Sequence, residues 1–332
     1  MHILIIAEAG VNYNGDINLA KQMVKAAAGA GADIVKFQTG IPEKVISRFA
    51  EKAEYQKVNT GDAEESQLNM ARKLMLPWEV YEELIACCRE NNIEFLSTPF
   101  DIDSADFLHK LGMHTWKIPS GEITNLPLLM HIAAFGEKII MSSGMSTLSE
   151  VRDAVEVLKK NGAEDITLLQ CNTEYPTPFE DVNLRVMQTL REEFGLPTGY
   201  SDHTLGIEAA VAAAALGAEV IEKHFTLDRT MDGPDQVASI EPEELKKLVT
   251  SIRNVEKALG TGVKIPSESE KKNMSIARKS IVAARNIKQG EIFSEDNITC
   301  KRPGSGISPM KWFEVIGKTA IRDFTEDELI EL

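Results

Sequence analysis

Cysteine is scarce in this chain, with four residues in 332. Cys87 and Cys88 are adjacent, Cys171 and Cys300 stand apart, and no two form a C-x-x-C. Neither a disulfide framework nor a structural zinc site is indicated, so a reducing cytoplasm is the expected setting. Positive charge is also short: 36 Lys and Arg face 51 Asp and Glu, for a formal charge of −15. That balance argues against nucleic acid or an anionic membrane surface as a partner. Long apolar runs are missing, so no membrane span is expected. The run at residues 3–7 is too short for a signal peptide and lacks a basic flank. Aromatics make up only 6%. A G-x-G-x-x-G loop is missing too. Ala9-Gly10-Val11-Asn12-Tyr13-Asn14-Gly15 follows the first β-like run instead, which weakens an open, doubly wound dinucleotide sheet.

What is present is a rhythm. Apolar residues are 43% of the chain. Short β-rich runs are expected at 3–8, 33–39, 94–99, 115–119, 138–143, 166–172, 198–202 and 219–225. Amphipathic helical patterns lie near 17–30, 78–91, 102–111, 125–135, 147–161, 183–194, 206–216 and 242–259, with Asp103 and Ser149 as candidate starts. Eight strand–helix units in about 260 residues predict an α/β fold, a (β/α)8 barrel of the TIM type. Residues 40–77 read as a polar, irregular insertion bordering the site. Residues 261–275, rich in Gly, Pro, Ser and Lys, read as a linker. Residues 276–332 then read as a small mixed-β domain with β-like runs at 279–284, 288–291 and 298–302.

Catalytic residues of such barrels sit at the C-terminal strand ends, and here every one of those ends is polar. His203 and His224 are 21 positions apart, one helix between them, which would put two imidazoles on neighbouring strand ends. A histidine at a strand end is usually a packing residue. A pair with open positions also suits a divalent ion acting as Lewis acid. In Ile34-Val35-Lys36-Phe37-Gln38, period-2 alternation turns Lys36 and Gln38 inward, and Trp116-Lys117-Ile118 repeats the pattern. A lysine inside a barrel needs a counter-charge. That could be a carboxylate such as Glu8 or Glu122, or a bound anion cradled with Thr98, Ser120, Ser142 and Ser201. Asp235, in Gly233-Pro234-Asp235, is either a turn residue or a neighbour of the metal.

These blocks resemble the bacterial sialic acid (nonulosonic acid) synthase family. The resemblance covers nearly the whole chain. It rests on Ile6-Ala7-Glu8-Ala9-Gly10-Val11-Asn12, Lys36-Phe37-Gln38-Thr39, Ser97-Thr98-Pro99-Phe100, Lys117-Ile118-Pro119-Ser120-Gly121-Glu122, Ser142-Ser143-Gly144-Met145, Tyr175-Pro176-Thr177-Pro178, Ser201-Asp202-His203-Thr204, Glu222-Lys223-His224-Phe225 and Gly233-Pro234-Asp235. Lys301-Arg302-Pro303-Gly304 lies in a tail resembling the family's antifreeze-like (SAF) domain. The resemblance implies condensation of phosphoenolpyruvate with the open-chain aldehyde of an N-acylated mannosamine-type sugar, releasing phosphate. It implies a manganese-like ion on His203 and His224. It implies that Lys36, Thr98, Lys117, Ser120, Ser142 and Ser201 hold phosphoenolpyruvate. Glu8, Gln38, Tyr175 and Asp235 would hold the sugar, and Glu122 would position or activate water. Arg302 would arrive from the exchanged small domain of a homodimer partner.

The chain also departs from members that use N-acetylmannosamine. Thr173 replaces a phosphate-contacting Asn. Glu54-Tyr55-Gln56-Lys57 lacks a Pro-Gly-Asn, and an aromatic contact to the N-acyl group is replaced near Met274 and Ile276. These changes favour the N,N'-diacetyllegionaminate branch, with a 2,4-diacetamido-2,4,6-trideoxymannose acceptor, over N-acetylneuraminate synthase. A metal-dependent aldolase, or a sugar-acid synthase with a phosphorylated acceptor, is the alternative class. The phosphorylated acceptor would call for an extra basic cluster, which is not seen. A purely ice- or carbohydrate-binding protein would leave the lysines and histidines without purpose.

Overall fold

The structure is a computed structural model that describes residues 2–62 and 64–332. It comprises two compact units, one ending at Gly260 and one starting at Thr261.

The first unit is a (β/α)8 barrel. Its strands are β1 Leu4–Gly10, β2 Ile34–Thr39, β3 Glu94–Pro99, β4 Thr115–Ile118, β5 Lys138–Ser142, β6 Ile166–Cys171, β7 Thr198–Asp202 and β8 Val220–His224. All pair in parallel in the order β3-β2-β1-β8-β7-β6-β5-β4, with the end strands β3 and β4 side by side. Nearly every strand residue is buried, as expected for parallel strands covered on both faces. At Gly199 a Cβ would lie 2.3 Å from the Val220 carbonyl oxygen, so only glycine lets β7 approach β8 there.

Helices α1 Ile17–Ala30, α5 Tyr81–Glu90, α6 Ile102–Lys110, α7 Leu126–Ala133, α8 Leu148–Lys160, α9 Val186–Phe194, α10 Glu208–Ala215 and α11 Pro242–Leu259 follow the strands. Two starts differ from expectation. The N-cap of α6 is Asp101, whose side chain accepts from Ser104 N at 2.9 Å and from Ile41 N at 2.8 Å. The N-cap of α8 is Thr147, in a capping box with Glu150. In each case the capping oxygen lies two residues earlier than the sequence suggested.

The insertion 40–77 is not irregular. It folds into α2 Pro42–Val45, α3 Glu54–Thr60 and α4 Gln67–Leu74. α2 and α3 are too short to show a period, and α4, at eight residues, spans little more than two turns. Lys52 pins the segment from inside: its buried ammonium lies 2.8 Å from Glu65 and donates to the Asp62 carbonyl at 2.9 Å. Asn59 Nδ2 donates to the Pro234 carbonyl at 2.7 Å, tying α3 to the loop after β8.

In the second unit, the expected linker carries a helix, α12 Glu268–Ala277, opened by a Ser267–Glu270 capping box. Strands β9 Ser280–Ala283 and β10 Ile298–Lys301 pair antiparallel. Residues 288–291 form a turn instead of a strand, flanked by isolated bridges at Ile287 and Ile292. The core of this unit is built from Ile281, Ile287, Phe293, Ile298, Phe324 and their neighbours.

Candidate active site

The strand ends open into a cavity of about 590 Å³. Glu8, Lys36, Gln38, Thr98, Lys117, Ser120, Glu122, Ser142, Thr173, Tyr175, Ser201, His203, His224 and Asp235 all line it. Arg302 is the one expected residue outside this lining. It is exposed in the second unit, its Nε donating to the Ala277 carbonyl at 3.1 Å.

Alternation along β8 turns Glu222 and His224 inward and Lys223 outward, where it pairs with Asp202 at 2.8 Å. Glu222 was not expected at the site. The period that exposed Lys36 would have found it too, since it stands two residues before His224. Its carboxylate lies 3.3 Å from Lys36 Nζ and 3.7 Å from Lys117 Nζ, and accepts from Ser201 Oγ at 2.8 Å. Lys36 also lies 2.9 Å from Glu8 and donates to Thr98 at 3.1 Å. Lys117 donates to Ser142 at 2.7 Å. Both lysines are therefore paired with buried carboxylates. Of the carboxylates expected as counter-charges, Glu8 takes part. Glu122 does not, and instead accepts from Asn125 at 2.6 Å.

The two carboxylates around Lys36 differ sharply. Burial lifts Glu8 to about 7, with the Glu222 charge adding to the rise against Lys36. Burial also pushes Glu222 up, but Lys117 and Lys36 together outweigh it and hold Glu222 at about 2. Asp235 is raised to about 6 by burial, opposed by His203. Burial lowers Lys117 despite the pull of Glu222.

The imidazoles of His203 and His224 have ring centroids 5.3 Å apart. His203 Nδ1 donates to the Asn172 carbonyl, which leaves the Nε2 lone pair free. His224 Nδ1 is buried with no hydrogen-bond partner, and burial together with His203 keeps this ring well below its usual pKa. Burial lowers His203 as well, but Cys171 and the Asn172 carbonyl outweigh it and raise this ring. An ion held by His203 Nε2 and His224 Nδ1 would therefore have to displace a proton from His203. Among the described residues no group of three His, Cys, Asp or Glu is arranged to hold a metal, so water or substrate would complete the shell. Gly10 closes the wall beside His224: its φ is +54°, and a Cβ would lie 3.2 Å from the ring. Tyr175 packs on His203 at 4.1 Å and against Tyr55 at 5.1 Å. Tyr55 lies in the Glu54–Lys57 segment that the sequence marked as departing from the N-acetylmannosamine users, but its contact with Tyr175 was not legible, because α3 shows no readable pattern.

The chain matches the NeuB family over residues 23–264 and the SAF domain over 278–331. It belongs to the NeuB family. This NeuB chain is 56% identical to an N,N'-diacetyllegionaminic acid synthase of Campylobacter jejuni, over 98% of each chain. It is 36% identical to the human N-acetylneuraminate-9-phosphate synthase, over 98% of this chain and 90% of that one. A solved structure of the N-acetylneuraminic acid synthetase of Leptospira borgpetersenii is 38% identical, with a TM-score of 0.73 over 82% of this chain and 90% of that one. Among the described residues, no helix is long and apolar enough to cross a membrane.

Proposed function

We propose that this protein condenses phosphoenolpyruvate with the aldehyde of an N-acylated mannosamine-type sugar to give a nonulosonic acid and phosphate. Its acceptor in this reading is the 2,4-diacetamido-2,4,6-trideoxymannose of the N,N'-diacetyllegionaminate branch. The carrying observation is the Lys36–Glu222–Lys117 cradle opening into the same cavity as the two imidazoles. The identity to two N,N'-diacetyllegionaminic acid synthases, 56% and 47%, supports the branch.

Lys36 and Lys117, with Thr98, Ser120, Ser142, Thr173 and Ser201, hold the phosphate and carboxylate of phosphoenolpyruvate. His203 and His224 hold a divalent ion, Mn²⁺ in this reading, which supplies Lewis acidity toward the sugar aldehyde. Gln38, Tyr175 and Asp235 hold and orient the acceptor. Carbon 3 of phosphoenolpyruvate attacks the aldehyde carbon, water adds to carbon 2, and the tetrahedral intermediate expels phosphate as the keto group forms. Glu8 at about 7 and Asp235 at about 6 can exchange protons near neutral pH. Glu222 stays ionised and faces the positive charge that develops at carbon 2. Glu122 positions the water. The working form is a homodimer in which the partner's small unit brings its Arg302 to the sugar. Four free thiols suit a reducing cytoplasm.

The test is a phosphate-release assay with phosphoenolpyruvate and Mn²⁺. One arm offers N-acetylmannosamine and the other the diacetamido trideoxy sugar. Faster release with the second, abolished by chelator, is expected. Release with neither sugar would end the proposal.

A further inference from the structure

The cavity has two chemically distinct parts. The strand ends supply the charged and hydroxyl lining. The insertion between β2 and α5 supplies an apolar one, and nothing in the reaction so far uses it. Gln67, Met70, Ala71 and Leu74 of α4 all line the cavity. Their spacing of three, four and seven positions places them on one helix face. Met75, just past the helix end, joins them, as do Val45 and Ile46 at the end of α2. The other face of α4 carries exposed Asn69, Arg72 and Lys73.

An apolar stripe on a helix ordinarily packs into the core. This one does not. Met70 and Ala71 are buried, yet neither belongs to the contiguous hydrophobic core of the barrel. Their stripe packs on α2 and borders the cavity, so an occupant of the cavity would complete the apolar packing that α2 begins. Phosphoenolpyruvate is too polar to be that occupant and belongs with the lysines. The remaining occupant is the acceptor sugar.

We infer that the Val45–Ile46 and Met70–Leu74 wall determines acceptor specificity by reading an apolar, deoxygenated carbon 6. This rests on the synthase reading and deepens it. The reacting aldehyde must lie with the polar strand ends, so the far end of the sugar lies against the rest of the lining. Gln67 offers an amide at one end of this face, but a hydroxyl set against Val45, Ile46, Met70 or Leu74 would be desolvated by methyl and thioether groups that give it no partner. A methyl group would gain contact area instead. An apolar site rejects an added hydroxyl only moderately, by roughly 10- to 100-fold in kcat/KM.

The experiment compares 2,4-diacetamido-2,4,6-trideoxymannose with 2,4-diacetamido-2,4-dideoxymannose, which differ only in the hydroxyl on carbon 6. Phosphate release is measured at saturating phosphoenolpyruvate and Mn²⁺. The wild type should prefer the deoxy sugar by roughly 10-fold or more. Leu74→Gln and Val45→Thr, tested separately, should each move that ratio toward one and leave the KM for phosphoenolpyruvate unchanged. Val45 is exposed and Leu74 is partly buried, so neither change asks the core to accept a polar group. A wild type that uses both sugars equally would overturn the wall and leave the synthase standing. So would variants that keep the wild-type ratio, or that shift the phosphoenolpyruvate KM as much as that of the sugar. Release with neither sugar would remove the synthase reading and this inference together.

Discussion

Glu8 and Glu222 face the same ammonium, yet they respond to pH in opposite ways. Glu222 is held at about 2 against an ordinary 4.5. Its ionised form therefore stabilises the fold above 4.5, and that stability is lost as pH falls toward 2. Replacing it by Gln leaves two buried lysines short of charge, at a cost of about 3–5 kcal/mol. Denaturant titration of Glu222→Gln should read that loss at pH 7, and phosphoenolpyruvate should restore part of it by supplying the missing negative charge. An equal loss with and without phosphoenolpyruvate would count against an anion cradle. Glu8 has the reverse sign. Raised from 4.5 to about 7, it keeps in the folded state a proton that the unfolded chain releases, so stability falls as pH rises across that window. Glu8→Gln mimics the protonated form. In metal-free buffer it should match the wild type near pH 5 and exceed it near pH 8, by up to about 3 kcal/mol. Melting curves at the two pH values check this, and a gap that does not widen with pH would refute it.

At the scale of elements, period and punctuation carried most of the information. All eight barrel strands were legible because parallel strands are short apolar runs bounded by glycine and polar residues. The same alternation placed Lys36 and Lys117 inside. It applied equally to Glu222, whose neighbour His224 drew the attention instead. The insertion was illegible for a physical reason: α2 has four residues and α3 seven, about one or two turns each. Such helices are held by long-range ties such as Asn59 to Pro234, which no local pattern announces. Gly10 at the end of β1 is another position whose role appears only in three dimensions. Gly10→Ala would force a left-handed residue and crowd the His224 ring. It should destabilise by about 1–2 kcal/mol and weaken Mn²⁺ binding in calorimetry about tenfold or more. Unchanged Mn²⁺ affinity would show that the ring can yield.

For the molecule as a whole, the sequence placed the unit boundary near residue 260 but read a linker where α12 begins the second unit. Arg302 belongs to that second unit. Arg302→Ala should raise the KM of the sugar at least tenfold more than that of phosphoenolpyruvate, by the size expected for a lost charged hydrogen bond. Equal effects on both substrates in steady-state kinetics would sink its assignment to the sugar.

The buried cradle also bears on how its substrate arrives. Lys36 and Lys117 are at most 4% exposed and already partly neutralised by Glu8 and Glu222, while the chain as a whole carries −15. An approaching trianion meets repulsion first and attraction only on contact. Capture should therefore speed up as salt shortens the range of the field, from about 30 Å at 0.01 M to about 10 Å at 0.1 M. Stopped-flow association of phosphoenolpyruvate across that range should show a rising rate, the reverse of ordinary steering. A rate that falls with salt would mean that a positive path leads inward from the surface.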